Sequence, residues 1–254
     1  MRGNRQPDLI ADPQGPFHGP LAHALACAVH IAVNAGVAWN SPNQGCTCCT
    51  KPKQKRKMLK RDWGIDSAED WRSTAETLLS DRSSNSTAAL LLGMRTQLAQ
   101  QYRQPIDART WRDAFSAWCR QEGITDNGYQ QLLGLMGMIL DYEKRFTADG
   151  LLPPGGFVSG IGAWDYGRAA NMARWGIQCE YTDPPTMQWF ATRASEQARR
   201  HHASWADFSA GYILGRCLHF DEGEFGSWYT TPLAVHQTMM SHPQSPWLHM
   251  PFHI

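Results

Sequence analysis

Apolar residues recur along most of this chain at three- and four-residue intervals, and strict alternation never persists. That is the pattern of helices packed on helices, and it predicts an all-α, mainly helical fold built as an irregular bundle of αα-hairpins with long loops. The first apolar run, Leu21 to Trp39, predicts one helix. Further helices are expected over Ala88 to Tyr102, Tyr129 to Phe146, Ala163 to Trp175, Thr186 to His202 and Ser204 to Leu218. Residues 1–20, rich in Pro, Gly and Gln, are expected to be irregular, with residues 21–254 forming one helical domain. A cysteine-rich, basic loop is expected at 40–57, a polar break at 80–86 and a Gly/Pro loop at 149–162. Past His219 the pattern suggests only turns and short pieces.

The helices share a stop-and-start grammar. In the segment 57–79 a helix reaches Trp63 and then meets Gly64-Ile65. A glycine can take the left-handed conformation that closes a helix, and the isoleucine can pack back on the last turn. Ser67 with Asp70 three residues on is a capping-box arrangement for the next helix. Gly123-Ile124 followed by Thr125 or Asp126 repeats the theme. So does Gly176-Ile177 followed by Asp183 and Pro184. Positions 64, 123 and 176 are too unevenly spaced for a solenoid. They are read as three similar helix–turn–helix corners.

These corners and the helices beside them carry a resemblance. The stretches 162–177 (GAWDYGRAANMARWGI) and 204–229 (SWADFSAGYILGRCLHFDEGEFGSWY) hold its densest motifs, with Asp62-Trp63-Gly64-Ile65, the segment 140–152 and the final Ser245-Pro246-Trp247 in support. In these the chain resembles the bacterial YbeU/YbeR-like family, domain of unknown function number 1266. The resemblance spans residues 20 to 250, and the cysteine-rich segment departs from the family's pattern. It implies a soluble bacterial protein and brings no catalytic residues with it.

Composition narrows the reading by exclusion. The 254 residues carry a formal net charge of +1, so no global field favours nucleic acid or an anionic membrane. Seven cysteines, an odd number without a regular framework, argue against a secreted disulfide scaffold and for a cytoplasmic protein. The Leu21 to Trp39 run approaches membrane-spanning length but contains His23, His30 and Asn34, so a buried helix is the reading preferred over a transmembrane one. Gly-x-Ser-x-Gly, Walker, H-E-x-x-H and dinucleotide signatures are all absent, and no cofactor is expected.

Candidate chemistry gathers on two helices. Asp165 and Arg168 share a helical face, with Arg174 further along the same helix. Trp205, Phe208, Tyr212, Arg216 and His219 form one stripe of the other, and Gly211 and Gly215 leave room for a close-packed neighbour. The expected packing sets Asp165 against Arg216. Asp165, Arg168, Arg174, Tyr212, Arg216 and His219 are therefore the candidate ligand-binding residues, with the arginines as forks for a carboxylate or phosphate. The bland alternative is a buried ion pair that fixes the packing register. No metal is expected, either at His219, Asp221, Glu222 and Glu224 or at Cys46, Cys48 and Cys49, whose spacing suits no tetrahedral cage. The basic run from Lys51 to Arg61 is a candidate surface for nucleic acid or anionic membrane, with a solvated basic loop as the plainer reading. The expected function is a non-enzymatic module that binds an unidentified protein partner or a ligand. The alternative is an enzyme, hydrolase or toxin-like, with an Asp/Arg/His pocket.

Overall fold

The structure is a computed structural model that describes residues 6–46, 49, 51–80 and 85–254. Cys48 and most of the polar break at 80–86 lie outside the described residues. Among the described residues the chain is all-α, with twelve helices and no strand. In order these are α1 (Gly19–Cys27), α2 (Val29–Asn34), α3 (Pro52–Trp63), α4 (Ala68–Leu79), α5 (Ser86–Tyr102) and α6 (Ala108–Gln121). Then come α7 (Asp126–Ala148), α8 (Gly162–Gln178), α9 (Pro184–His201), α10 (Trp205–Phe220), α11 (Ser227–Ser241) and α12 (Pro246–His249).

The central element is α8, which packs against α1, α2, α3, α4, α9 and α10. Twelve of its seventeen residues are buried. A helix buried all round needs small residues wherever neighbours crowd it, and α8 has Ala163, Gly167, Ala169, Ala170, Ala173 and Gly176. The apolar run at the N-terminus is equally enclosed, with Ala22 through Cys27 all buried. Among the described residues no helix is long and apolar enough to cross a membrane. The run is broken at Ala28 and ends near Gly36, so it forms two short helices rather than the one expected. Its polar side chains are satisfied by the fold. His23 hydrogen-bonds to Ser195 Oγ at 2.7 Å and to the Phe252 carbonyl at 2.8 Å. The irregular segment before α1 is also tied down: Trp39 N–H donates to the Ile10 carbonyl, and Asn40 and Asp12 exchange two hydrogen bonds.

Most caps behave as their residues dictate. Asp70 N–H donates to Ser67 Oγ at 3.0 Å, and Ser67 N–H donates to the Asp70 carboxylate at 3.0 Å, which closes the capping box. Thr125, Asp183 and Ser204 cap α7, α9 and α10. Gly64 and Gly123 take left-handed φ values of 69° and 65°, and the amides of Ile65 and Ile124 reach back to the carbonyls of Leu59 and Cys119.

The third corner breaks the grammar. At Gly176-Ile177 the chain stays helical to Gln178, and the left-handed residue that stops it is Glu180, at φ 57°. Gly176 is small for another reason: a Cβ there would sit 2.5 Å from Cε2 of Trp71 on α4. Two further expectations also change. Residues 52–57, expected in the loop, begin α3, with Pro52 at a first helical position where its missing N–H costs nothing. The stretch past His219 contains α11, fifteen residues long and masked in the sequence by Pro232. The proline removes the usual donor to the Trp228 carbonyl, and Cys217 Sγ–H donates to that carbonyl instead at 3.9 Å.

Gly176→Ala is expected to cost about 1–3 kcal/mol by overpacking against Trp71, read as a lower urea midpoint. Gly176→Asn, which a left-handed helix terminus would tolerate, is expected to cost more than Ala. If Asn proves the milder change, the packing explanation is wrong.

Candidate functional site: an aromatic, arginine-bearing cavity beside α8 and α10

The site is built on a close crossing of α8 and α10. A Cβ on Gly215 would lie 2.9 Å from Cβ of Trp164, and one on Gly167 would lie 2.9 Å from Cε2 of Tyr212. Glycine at these positions lets the two helices approach backbone to side chain without a gap. The stripe on α10 then faces the Trp164–Arg168 turn of α8. Beside this seam opens a cavity of about 530 Å³ lined by Ile31, Asp62, Trp63, Trp164, Arg168, Trp175, Tyr212, Arg216, His219, Phe220 and Trp228.

Four of the six expected residues reach this cavity: Arg168, Tyr212, Arg216 and His219. Arg168 stacks on Trp164 at 3.5 Å and faces Trp63 at 5.6 Å, while its Nη2 donates to the Asp165 carboxylate. Arg216 lies over Trp228 at 4.7 Å. Among the described residues it has no acidic group within salt-bridge range, and its Nε, though buried, has no hydrogen-bond partner. Tyr212 is buried between the two arginines. Burial pushes its phenol upward, and the Arg216 and Arg168 charges act against that rise. At the mouth, Phe220 and Trp228 stack at 4.4 Å and are 44% and 41% exposed.

Asp165 and Arg174 are placed elsewhere. Asp165 pairs with Arg168 one turn along its own helix, not with Arg216 as expected. The i,i+3 spacing brings the shorter-range partner first. Asp165 instead lines a separate cavity of about 420 Å³, with Tyr166, Arg200, His201 and His202 among its neighbours. Arg174 is sealed in the core, where it donates to the Ala38 carbonyl at 2.9 Å. Burial alone pushes its guanidinium down to about 10. Asp221, which stood among the acids after α10, is a turn-former: it accepts from Tyr142 Oη and from the amides of Phe225 and Gly226.

The sequence reading missed the indoles. Trp63 and Trp175 belong to the two Trp-Gly-Ile tripeptides and meet edge to face at 5.9 Å, so the motifs converge on one wall. Trp228 comes from the missed helix α11. The high tryptophan count was the available signal, but nothing local says which indoles share a cavity. Part of the basic run is engaged as well, while Lys51, Lys53 and Lys57 are exposed. Lys55 is buried, Arg56 donates to the Cys179 carbonyl and to Glu180, and Lys60 pairs with Asp66.

Behind Tyr212 lies a neutral polar cluster. His30 stacks on Tyr212 at 4.2 Å, and its Nε2 and His236 Nδ1 meet the same Ser209 hydroxyl at 3.0 and 2.9 Å. The hydroxyl can donate to one ring and accept from the other, an arrangement that two uncharged imidazoles satisfy. Burial holds His236 at about 4; it drives His30 well below its usual range, helped by the His236 and Arg216 charges.

An all-helical chain with a tryptophan-walled cavity carrying two arginines is the class of protein that fold and geometry define. The chain belongs to the family described as protein of unknown function (DUF1266), whose pattern matches residues 58–252. It is 25% identical over 177 residues to the uncharacterized protein YbeR of Escherichia coli (strain K12), covering 66% of this chain and 63% of that protein. It is 26% identical over 180 residues to the uncharacterized protein YbeU of the same organism, covering 68% of this chain and 64% of that protein. The chain thus spans a little under two thirds of the length of these relatives. No solved structure matches. The cysteine-rich segment at 46–49 falls before the matched stretch.

Buried histidines make the fold acid-sensitive. His23 and His236 are both held at about 4, against 6.5 in an unfolded chain. Between those values the unfolded chain binds protons that the folded chain refuses. Stability therefore falls as pH drops from 6.5 towards 4, by up to about 1.4 kcal/mol per pH unit for each such histidine. Urea midpoints measured from pH 7 to pH 5 should fall steadily, and a flat profile would contradict the burial of these rings.

Proposed function

We propose that this chain is a non-catalytic ligand-binding module whose cavity holds a planar ring bearing a carboxylate or phosphate group. The observation that carries the reading is Arg216, a guanidinium without an acidic partner, stacked on Trp228 at the wall of an indole-lined cavity. An arginine in this setting offers its planar fork to a carboxylate or phosphate. The indoles of Trp63, Trp164, Trp175 and Trp228 offer flat apolar faces to a ring. A cavity of about 530 Å³ suits a small molecule rather than a peptide segment. Electrostatics favour an anion: Arg168 is balanced by Asp165, and Asp62 by Arg61, which leaves Arg216 as the net charge of the wall.

Binding fits the arrangement better than turnover. His219 is exposed and rests on Trp164 at 5.0 Å, and among the described residues no carboxylate hydrogen-bonds to orient it as a base. Asp165, the acid expected to share the cavity, is absent from its wall.

The test is calorimetry with a panel of aryl carboxylates and aryl phosphates, each beside its neutral amide or alcohol. Arg216→Met is expected to weaken the anionic ligands by about ten-fold or more, the scale of one charge-assisted hydrogen bond, and to leave the neutral ones unchanged. The reading fails if no member of the panel binds the wild type more tightly than Arg216→Met.

A further inference from the structure

Arg174 stood among the candidate ligand-binding residues, yet it takes no part in the aromatic cavity. It lies in the last turns of α8 and is 1% exposed. Its Nη2 donates to the Ala38 carbonyl at 2.9 Å, while Nε and Nη1 are buried and have no hydrogen-bond partner. Among the described residues no acid pairs with it, and burial alone bears on its ionisation. A guanidinium taken out of water carries a heavy desolvation penalty unless an anion and further hydrogen bonds offset it. Arg95 shows what such compensation looks like in this fold: Glu143 stands at 2.6 Å, and the Ile106 carbonyl takes two more donors. Arg174 is buried as deeply and has one carbonyl.

Two more donors go unanswered in the same part of the fold. Asn171 lies three residues before Arg174, on the same face of α8, and its Nδ2 is buried without a partner. Trp39 follows the Ala38 carbonyl that Arg174 holds, and its Nε1 is buried and unpartnered too. Four residues after Arg174, Gln178 Oε1 is a buried acceptor without a partner. A water could bridge that oxygen to the guanidinium, but a neutral molecule leaves the positive charge uncompensated.

The chain after α2 closes over this face. Ala38 N–H donates to Gln44 Oε1 at 2.9 Å, and Gln178 Nε2 donates to the Gln44 carbonyl at 3.0 Å. With the Arg174–Ala38 bond these contacts form a ring between α8 and the segment 38–44. An occupant here is enclosed, meets N–H groups and faces one net positive charge. Enclosure excludes an organic acid, whose tail would need its own space. A halide ion is small and accepts hydrogen bonds from any direction.

We propose that Arg174, Asn171 and Trp39 form a buried halide site, occupied by chloride, that joins α8 to the segment after α2. The ion supplies the negative charge that the fold does not place beside Arg174. The site is separate from the aromatic cavity, and neither depends on the other.

The experiment follows urea unfolding of the full chain at constant ionic strength while chloride replaces gluconate, from micromolar to tenths of molar. Above the dissociation constant, each ten-fold rise in chloride should raise the folding equilibrium constant about ten-fold, as one-site linkage requires, and bromide should act alike. Arg174→Met should make the equilibrium indifferent to chloride. Arg216→Met, which alters the arginine of the aromatic cavity, should leave the response intact. Trp39→Phe should move the response to roughly ten-fold higher chloride, the scale of one hydrogen bond to a charged group. Should Arg174→Met fail to fold, crystals of the unsubstituted chain grown in bromide decide: an anomalous peak against Arg174 Nε or Nη1 supports the site, and a water alone there overturns it. Equal stability in chloride and gluconate, or a chloride response that survives Arg174→Met, also overturns it.

Discussion

The rest of the structure depends on the contact between α8 and α10. Gly167, Gly211 and Gly215 leave no room for a side chain at the crossing, and a single Cβ at any of them would meet Tyr212, Gly160, His202 or Trp164 at or below ordinary contact distance. Because the helices meet this closely, the α10 stripe and the Trp164–Arg168 turn of α8 share one space. The same contact puts Tyr212 between the two arginines and the His30 ring. Its far side is the neutral His30–Ser209–His236 cluster, and its near side is the aromatic cavity.

Charge divides along this seam in a way that sequence spacing could not anticipate. Two acids and three arginines were available near the crossing, and the acids took local partners: Asp165 with Arg168, and Asp62 with Arg61. Adjacent or i,i+3 groups pay little entropy to meet, whereas a pair across two helices depends on exact axial registration. Arg216 is what remains after those pairings. Elsewhere a pair across helices does form: Arg95 of α5 and Glu143 of α7 lie 2.6 Å apart in the core. Glu143 also accepts from the Val158 amide, and Arg95 donates twice to the Ile106 carbonyl. With its remaining lone pairs and protons occupied, that pair is sealed, and its role is to join the helices.

Much of the architecture was legible because it is written in local chemistry. Ser67 with Asp70, Asp183 before Pro184, and Gly64 with Ile65 each state a helix boundary within a few residues, and each boundary is present. Gly176-Ile177 has the same letters with a different cause. Its glycine answers to Trp71, about a hundred positions away, and no local pattern distinguishes the two cases. Helix α11 was hidden because Pro232 reads as a helix breaker, and its repair by the Cys217 thiol is a tertiary event. At the candidate site the α10 stripe was legible, since Tyr212, Arg216 and His219 follow from helical periodicity. The walls were not, because Trp63, Trp175 and Trp228 arrive from three other elements. The segment 40–57 was expected as one loop, but its basic half begins α3, and the burial of Lys55 follows from docking of that helix onto α8.

The central claim is that the seam of α8 and α10 creates a cavity for a planar anion. It is tested most directly by following the indole N–H resonances of all eleven tryptophans during titration with an aryl carboxylate. The account predicts saturable shifts at Trp63, Trp164, Trp175 and Trp228, with Trp39, Trp111 and Trp189 unmoved. Shifts centred on the latter group, or equal shifts produced by the neutral amide of the same ring, would contradict it.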